Sequence, residues 1–75
     1  MEQYRNLGGD SGVAAFEISA DYIRVEFKDG SVYLYTYAST GAARIERMKS
    51  LALQGHGLNS YINTSVGKAY ERKER

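Results

Sequence analysis

Tyr22-Ile23-Arg24-Val25-Glu26-Phe27-Lys28-Asp29-Gly30-Ser31-Val32-Tyr33-Leu34-Tyr35-Thr36-Tyr37 is the stretch on which the fold turns. Ile23, Val25 and Phe27 alternate with Tyr22, Arg24, Glu26 and Lys28, the period-2 pattern of a strand with one apolar and one charged face. Asp29-Gly30 then marks a hairpin, because glycine accepts a positive φ without steric cost. The return strand runs from Ser31 to about Tyr37, where Val32, Leu34 and Thr36 alternate with Tyr33, Tyr35 and Tyr37.

Two registers fit this hairpin. A two-residue type I′ turn at Asp29-Gly30 sets Phe27 opposite Val32 and Val25 opposite Leu34. Tyr33, Tyr35 and Tyr37 then share the outer face with Tyr22, Arg24 and Lys28. A three-residue turn, Lys28-Asp29-Gly30, with a glycine bulge shifts the pairing by one and sends Tyr33 and Tyr35 into the core beside Ile23 and Val25. In either case one apolar row is left on the second face, a natural surface for a dimer or a partner.

Upstream, Val13 to Ser19 reads as a first strand with Ala14, Phe16 and Ile18 on one face, closed by a tight turn at Ala20-Asp21. Downstream, Ser39 or Thr40 is placed to cap a helix whose stripe is Gly41, Ile45, Met48 and Ala52, ended by a left-handed Gly55. A second helix starts near Leu58 to Ser60, capped by Asn59 or Ser60. Its stripe is Leu58, Tyr61, Ile62, Val66, Ala69 and Tyr70. The expected fold is α+β: a three-stranded antiparallel β-meander followed by two α-helices. Residues 12–70 form the single domain, with a flexible arm at 1–11 and a charged tail at 71–75.

Composition sets bounds on function. Seventy-five residues hold one core, and a domain of this size buries only about 60% of its unfolded surface. Ten Lys and Arg against nine Asp and Glu give a net charge of +1, without the basic excess of a typical phosphate-binding domain. There is no cysteine for a disulfide or thiolate site. The first residues lack the apolar stretch of a signal peptide, and no apolar run is long enough to cross a bilayer. A soluble, cytoplasmic protein without membrane, metal or cofactor partners is expected. Seven Tyr against two Phe and no Trp is the unusual feature. Such rings either fill the core or lie open for a partner.

From Ser11 onward the chain resembles the KTSC family, small bacterial and phage domains named for their occurrence at the C-terminus of some lysyl-tRNA synthetases. The resemblance is carried by Ser11 and Val13, by Phe16, and by Val25-Glu26-Phe27-Lys28-Asp29-Gly30-Ser31-Val32-Tyr33-Leu34-Tyr35. Gly57-Leu58-Asn59-Ser60-Tyr61-Ile62-Asn63 and Tyr70 complete it. Two points depart from the family pattern: there is no Pro before the first helix, and Asn59-Ser60-Tyr61-Ile62-Asn63 replaces an aromatic-aromatic-Asn step. The resemblance implies a β-β-β-α(-α) fold and a polar residue in place of Leu34, which favours the register with buried tyrosines. It implies no activity, and links to RNA only by association.

The single His56 lies between two glycines, without a nucleophile or paired carboxylate to make a site. Gly55, Gly57, Asn59 and Ser60 can be read as an anion-binding turn at a helix start. A capping glycine followed by the turn into a helix accounts for the same residues. No Ser/His/Asp or Cys/His arrangement is present, so an enzyme is not expected. The leading expectation is a non-catalytic module that docks on a protein partner or forms a homodimer. The alternative is an RNA- or single-stranded-DNA-binding domain that stacks bases on Tyr22, Tyr33, Tyr35 and Tyr37 beside Arg24.

Overall fold

The computed structural model describes residues 1–9 and 11–75; position 10, within the expected arm, lies outside them. The meander is present as β2 (Val13–Ile18), β3 (Tyr22–Phe27) and β4 (Val32–Thr36). Two strands of two residues extend it on either side: β1 (Glu2–Gln3) pairs with β2, and β5 (Arg72–Lys73) pairs with β4. The sheet order is β1-β2-β3-β4-β5, antiparallel throughout. The fold is therefore α+β with an antiparallel sheet, but its strands number five among the described residues, not three. Two residues are too few to show a period, which is why β1 and β5 leave no mark in the sequence pattern.

The helical part also differs in count. A one-turn α1 (Tyr37–Thr40) is capped by Thr36, with Ser39 returning the bond in a capping box. The long helix α2 (Ala42–Gln54) follows, then α3 (Leu58–Tyr61), which widens into a π-helical stretch, Ile62–Val66. Thus Ser39 supports an earlier turn and does not cap α2, which starts from Gly41 at φ 99°. Ile45, Met48, Leu51 and Ala52 form the buried stripe of α2, and Gly55 closes it at φ 74°. Neither Asn59 nor Ser60 caps α3. The oxygen of the buried Tyr4 hydroxyl accepts the Leu58 amide instead, at 3.2 Å.

The hairpin adopts the three-residue turn. Gly30 N–H donates to the Phe27 carbonyl, Phe27 N–H donates to Ser31, and Gly30 sits at φ 89°. Asp29 fixes the turn by accepting from the Ser31 amide at 2.9 Å and its hydroxyl at 2.6 Å. Val25 therefore faces Tyr33 and Ile23 faces Tyr35. Val13, Phe16, Ile23, Val25 and Tyr35 join the α2 stripe, Leu58, Ile62 and Val66 in one core. A bulge between Val13 and Ala15 lets Val13 share that face with Phe16, where simple alternation placed Ala14.

The apolar row expected to be exposed on the second face is covered. Val32 and Leu34 are each only 5% exposed. Their cross-strand partners are Glu26 and Arg24, and the strand that continues from Glu71 closes over the β4 edge. Glu71 N–H donates to Leu34, Glu74 N–H donates to Val32, and Val32 N–H donates to Arg75. Arg24, Glu26, Glu74 and Arg75 surround Val32 on that face, and long charged side chains cover apolar surface with their aliphatic stems.

Candidate functional site

The five residues expected to form a stacking platform are divided among three places. Tyr22 and Arg24 lie on the second face of the sheet, where Arg24 is fully engaged. It contacts Glu17 and Glu74 at 2.7 Å each, donates to the Tyr22 hydroxyl at 3.0 Å, and rests 4.8 Å from the Tyr22 ring centre. The Glu74 carboxylate, with Tyr22, pushes the guanidinium pKa further up, so its charge is permanent and already paired. Tyr33 and Tyr35 lie on the opposite, helix-facing side of β4. Tyr37 opens α1, where its hydroxyl donates to Glu46 and Lys49 lies 5.5 Å from its ring centre. These residues do not form one surface.

The residues of the expected anion turn stay closer together. Gly57, Asn59 and Ser60 line a polar hollow of about 480 Å³ with Tyr4, Asn6 and the exposed His56. Gly55 is not part of it: this glycine is buried against Arg5 and returns its amide to Leu51 and Ala52. Among the described residues no Lys or Arg lines the hollow, and the Leu58 amide that opens α3 is already taken by Tyr4. Its described walls are amides and hydroxyls together with the His56 imidazole. Among the described residues, no group of three or more His, Cys, Asp or Glu side chains is placed to hold a metal ion. No helix of these residues is long and apolar enough to cross a membrane.

A second concavity is made of different residues. It is a shallow groove of about 500 Å³ between the β3–β4 hairpin and the segment after the π-helical stretch. Phe27, Tyr33, Tyr35 and Tyr70 form its floor. Tyr33 meets Phe27 edge-on with ring centres 5.7 Å apart, and meets Tyr70 at 4.7 Å. Tyr70 also meets Tyr35 edge-on at 6.1 Å. Such edge-to-face contacts stabilise a cluster beyond its buried area.

Local chemistry carries Tyr70 to this position. Gly67 N–H donates to the Ile62 carbonyl at 2.7 Å, ending the π-helical stretch, and Gly67 turns the chain at φ 57°. The buried Thr40 hydroxyl then donates to the Ala69 carbonyl at 2.7 Å, pinning the crossing next to Tyr70. Burial pushes the Tyr35 phenol up to about 12, with Tyr33 and Tyr70 adding to the shift. Tyr35 is only 2% exposed, whereas Tyr33 and Tyr70 are half-buried and present their rims to solvent.

Lys28 and Lys68 stand at the lip of the groove, and the Lys73 ammonium lies 5.9 Å from the Tyr33 ring centre. None of these three lysines joins an ion pair among the described residues, since the pairs involve Arg24, Lys49, Arg72 and Arg75. Among the described residues, Asp29 is the one carboxylate on the lip. Its bonds to Ser31 hold it below the usual carboxylate range, with Lys73 adding a smaller effect. The groove is legible in the sequence only in part. Tyr33 and Tyr35 stand out there, while Phe27, Lys28, Lys68 and Tyr70 are brought together by the turn register and the crossing after Gly67. No family model, curated protein or solved structure matches the chain.

Proposed function

We propose that this chain is a non-catalytic protein-interaction module, and that the aromatic groove between the hairpin and Tyr70 is its docking surface. The observation that carries the reading is the union of an edge-packed aromatic floor with a rim of lysines that join no ion pair among the described residues. Aromatic anchors in partly desolvated pockets dominate the energy of protein interfaces. A groove this shallow leaves a small molecule largely in water, whereas small-molecule sites usually enclose most of their ligand. KTSC-like kinship, which rests on the ordered residues from Ser11 to Tyr70, is compatible with such a role.

The floor is poorly suited to bases. Stacking needs open ring faces, but each ring here meets a neighbour at 61° to 88°, and Lys73 lies over Tyr33. What remains is a set of notches matched to side chains. Replacing Lys68 with the photo-crosslinker benzoylphenylalanine tests the assignment directly. In cells the probe should join the chain to protein, while the same probe at exposed Arg47 on α2 should not. Nucleic acid recovered at position 68 would contradict the reading.

A further inference from the structure

The distribution of charge specifies the partner more closely, an inference that rests on the docking role of the groove. Glu17, Glu26, Glu71 and Glu74 are paired with Arg24, Arg72 and Arg75 on and beside the second face of the sheet. Glu46 is paired with Lys49 on α2. Asp29 is committed to Ser31. Away from the groove, Arg5 and Arg44 donate to the backbone carbonyls of Leu53 and Thr40. Of the three lysines without a carboxylate partner among the described residues, Lys28 and Lys68 line the lip of the aromatic groove and Lys73 lies beside it at the Tyr33 ring, while Arg47, also without a carboxylate partner there, stands apart on α2. We infer that the groove takes a short acidic segment of a partner protein, with one aromatic or long aliphatic side chain seated on Phe27, Tyr33 and Tyr70 and carboxylates facing Lys28, Lys68 and Lys73.

The two halves of this recognition do different work. Burying the anchor against the rings supplies most of the affinity, because apolar area leaves water there. The lysines are exposed, so their pairs are individually weak and act mainly through selectivity and association rate. Charge complementarity therefore selects among anchors that fit equally well. A basic segment would place like charges against three ammonium groups and be rejected.

Fluorescence polarisation with three labelled peptides tests this. The probes are Asp-Asp-Leu-Phe-Asp-Asp, its counterpart Lys-Lys-Leu-Phe-Lys-Lys, and the anchorless Asp-Asp-Gly-Gly-Asp-Asp. The first should bind about tenfold more tightly than either of the others, and raising salt from about 50 to about 500 mM should weaken it several-fold. The doubly substituted chain, Lys28→Glu with Lys68→Glu, should lose about tenfold for the first peptide while keeping its circular dichroism spectrum. Equal binding of the acidic and basic peptides, competed by each other, would overturn the acidic preference but leave the docking surface standing. Failure of all three peptides to bind would overturn the inference as well. If oligo(dT) alone bound and shifted the Tyr33 and Tyr70 resonances, the docking reading itself would fall with it.

Discussion

The hydroxyl oxygen of Tyr4 accepts the backbone N–H of Leu58 across 54 positions of chain, and both residues are buried. The bond ties the segment just after the edge strand β1 to the start of α3, where the first amides of a helix lack internal partners. Tyr4→Phe keeps the ring and removes the acceptor, leaving a buried N–H unsatisfied. The expected loss is about 1–3 kcal/mol, read from the urea midpoint. A midpoint equal to that of the wild type would mean that this contact contributes nothing to holding residues 1–9 on the domain.

Two glycines with positive φ should respond differently to the same change. At Gly30 an added methyl group meets nothing within 4 Å, so Gly30→Ala carries only the backbone strain of about 1–2 kcal/mol. At Gly55 the methyl would lie 2.8 Å from the Arg5 Cβ, in addition to a φ of 74°. Gly55→Ala should cost about 3 kcal/mol, since strain and overpacking add. Thermal melts of both variants make the comparison, and a smaller loss at Gly55 than at Gly30 would contradict it.

The Tyr35 phenol has a pKa of about 12 in the folded chain against 10.0 for a free side chain. Below pH 10 both states hold the proton and stability is fully present. Between 10 and 12 the unfolded chain releases it first, so stability falls as pH rises. The loss from this group is about 1 kcal/mol at about pH 11. Tyr35→Phe should flatten the alkaline limb of a stability–pH profile; an unchanged slope would show that Tyr35 ionises freely when folded.

Glu74 behaves in the opposite sense. Its bond to Arg24 holds the carboxyl below the ordinary value of 4.5, with Arg72 contributing less. Stability from this group is present above 4.5 and is lost as pH falls through the depressed value, because the unfolded chain takes up the proton first. The pair is partly exposed, so Glu74→Gln should cost no more than about 1 kcal/mol at neutral pH. The sharper readout is hydrogen exchange: the Val32, Glu71 and Glu74 amides should exchange faster in the variant, while Ile23 and Val25 should not.

Much of the fold is legible because it depends on short-range chemistry. Asp29-Gly30 announces a hairpin, and Gly55 announces a helix end, since each needs a positive φ. Pattern alone leaves the register open, as both rows of β4 are apolar or aromatic: Val32 and Leu34 on one side, Tyr33 and Tyr35 on the other. What separates them is the Asp29–Ser31 pair, which stabilises a three-residue turn, and the crossing strand that buries Val32 and Leu34. Tyr4, Thr40 and Tyr70 act across long separations, through Leu58, Ala69 and Tyr33 respectively. No local period reveals such contacts. The platform of Tyr22, Arg24, Tyr33, Tyr35 and Tyr37 needs the other register, and the groove exists because that register is not adopted.

The tyrosines of β4 and Tyr70 either build the groove together or leave it without a floor, and nuclear Overhauser contacts between aromatic protons distinguish the two. Cross-peaks should join Tyr33 to both Phe27 and Tyr70, and Tyr70 to Tyr35, in keeping with ring separations of 4.7 to 6.1 Å. Cross-peaks from Tyr33 and Tyr35 to Tyr22 and the Arg24 side chain, with none to Tyr70, would contradict the register, the groove and the docking role built on them.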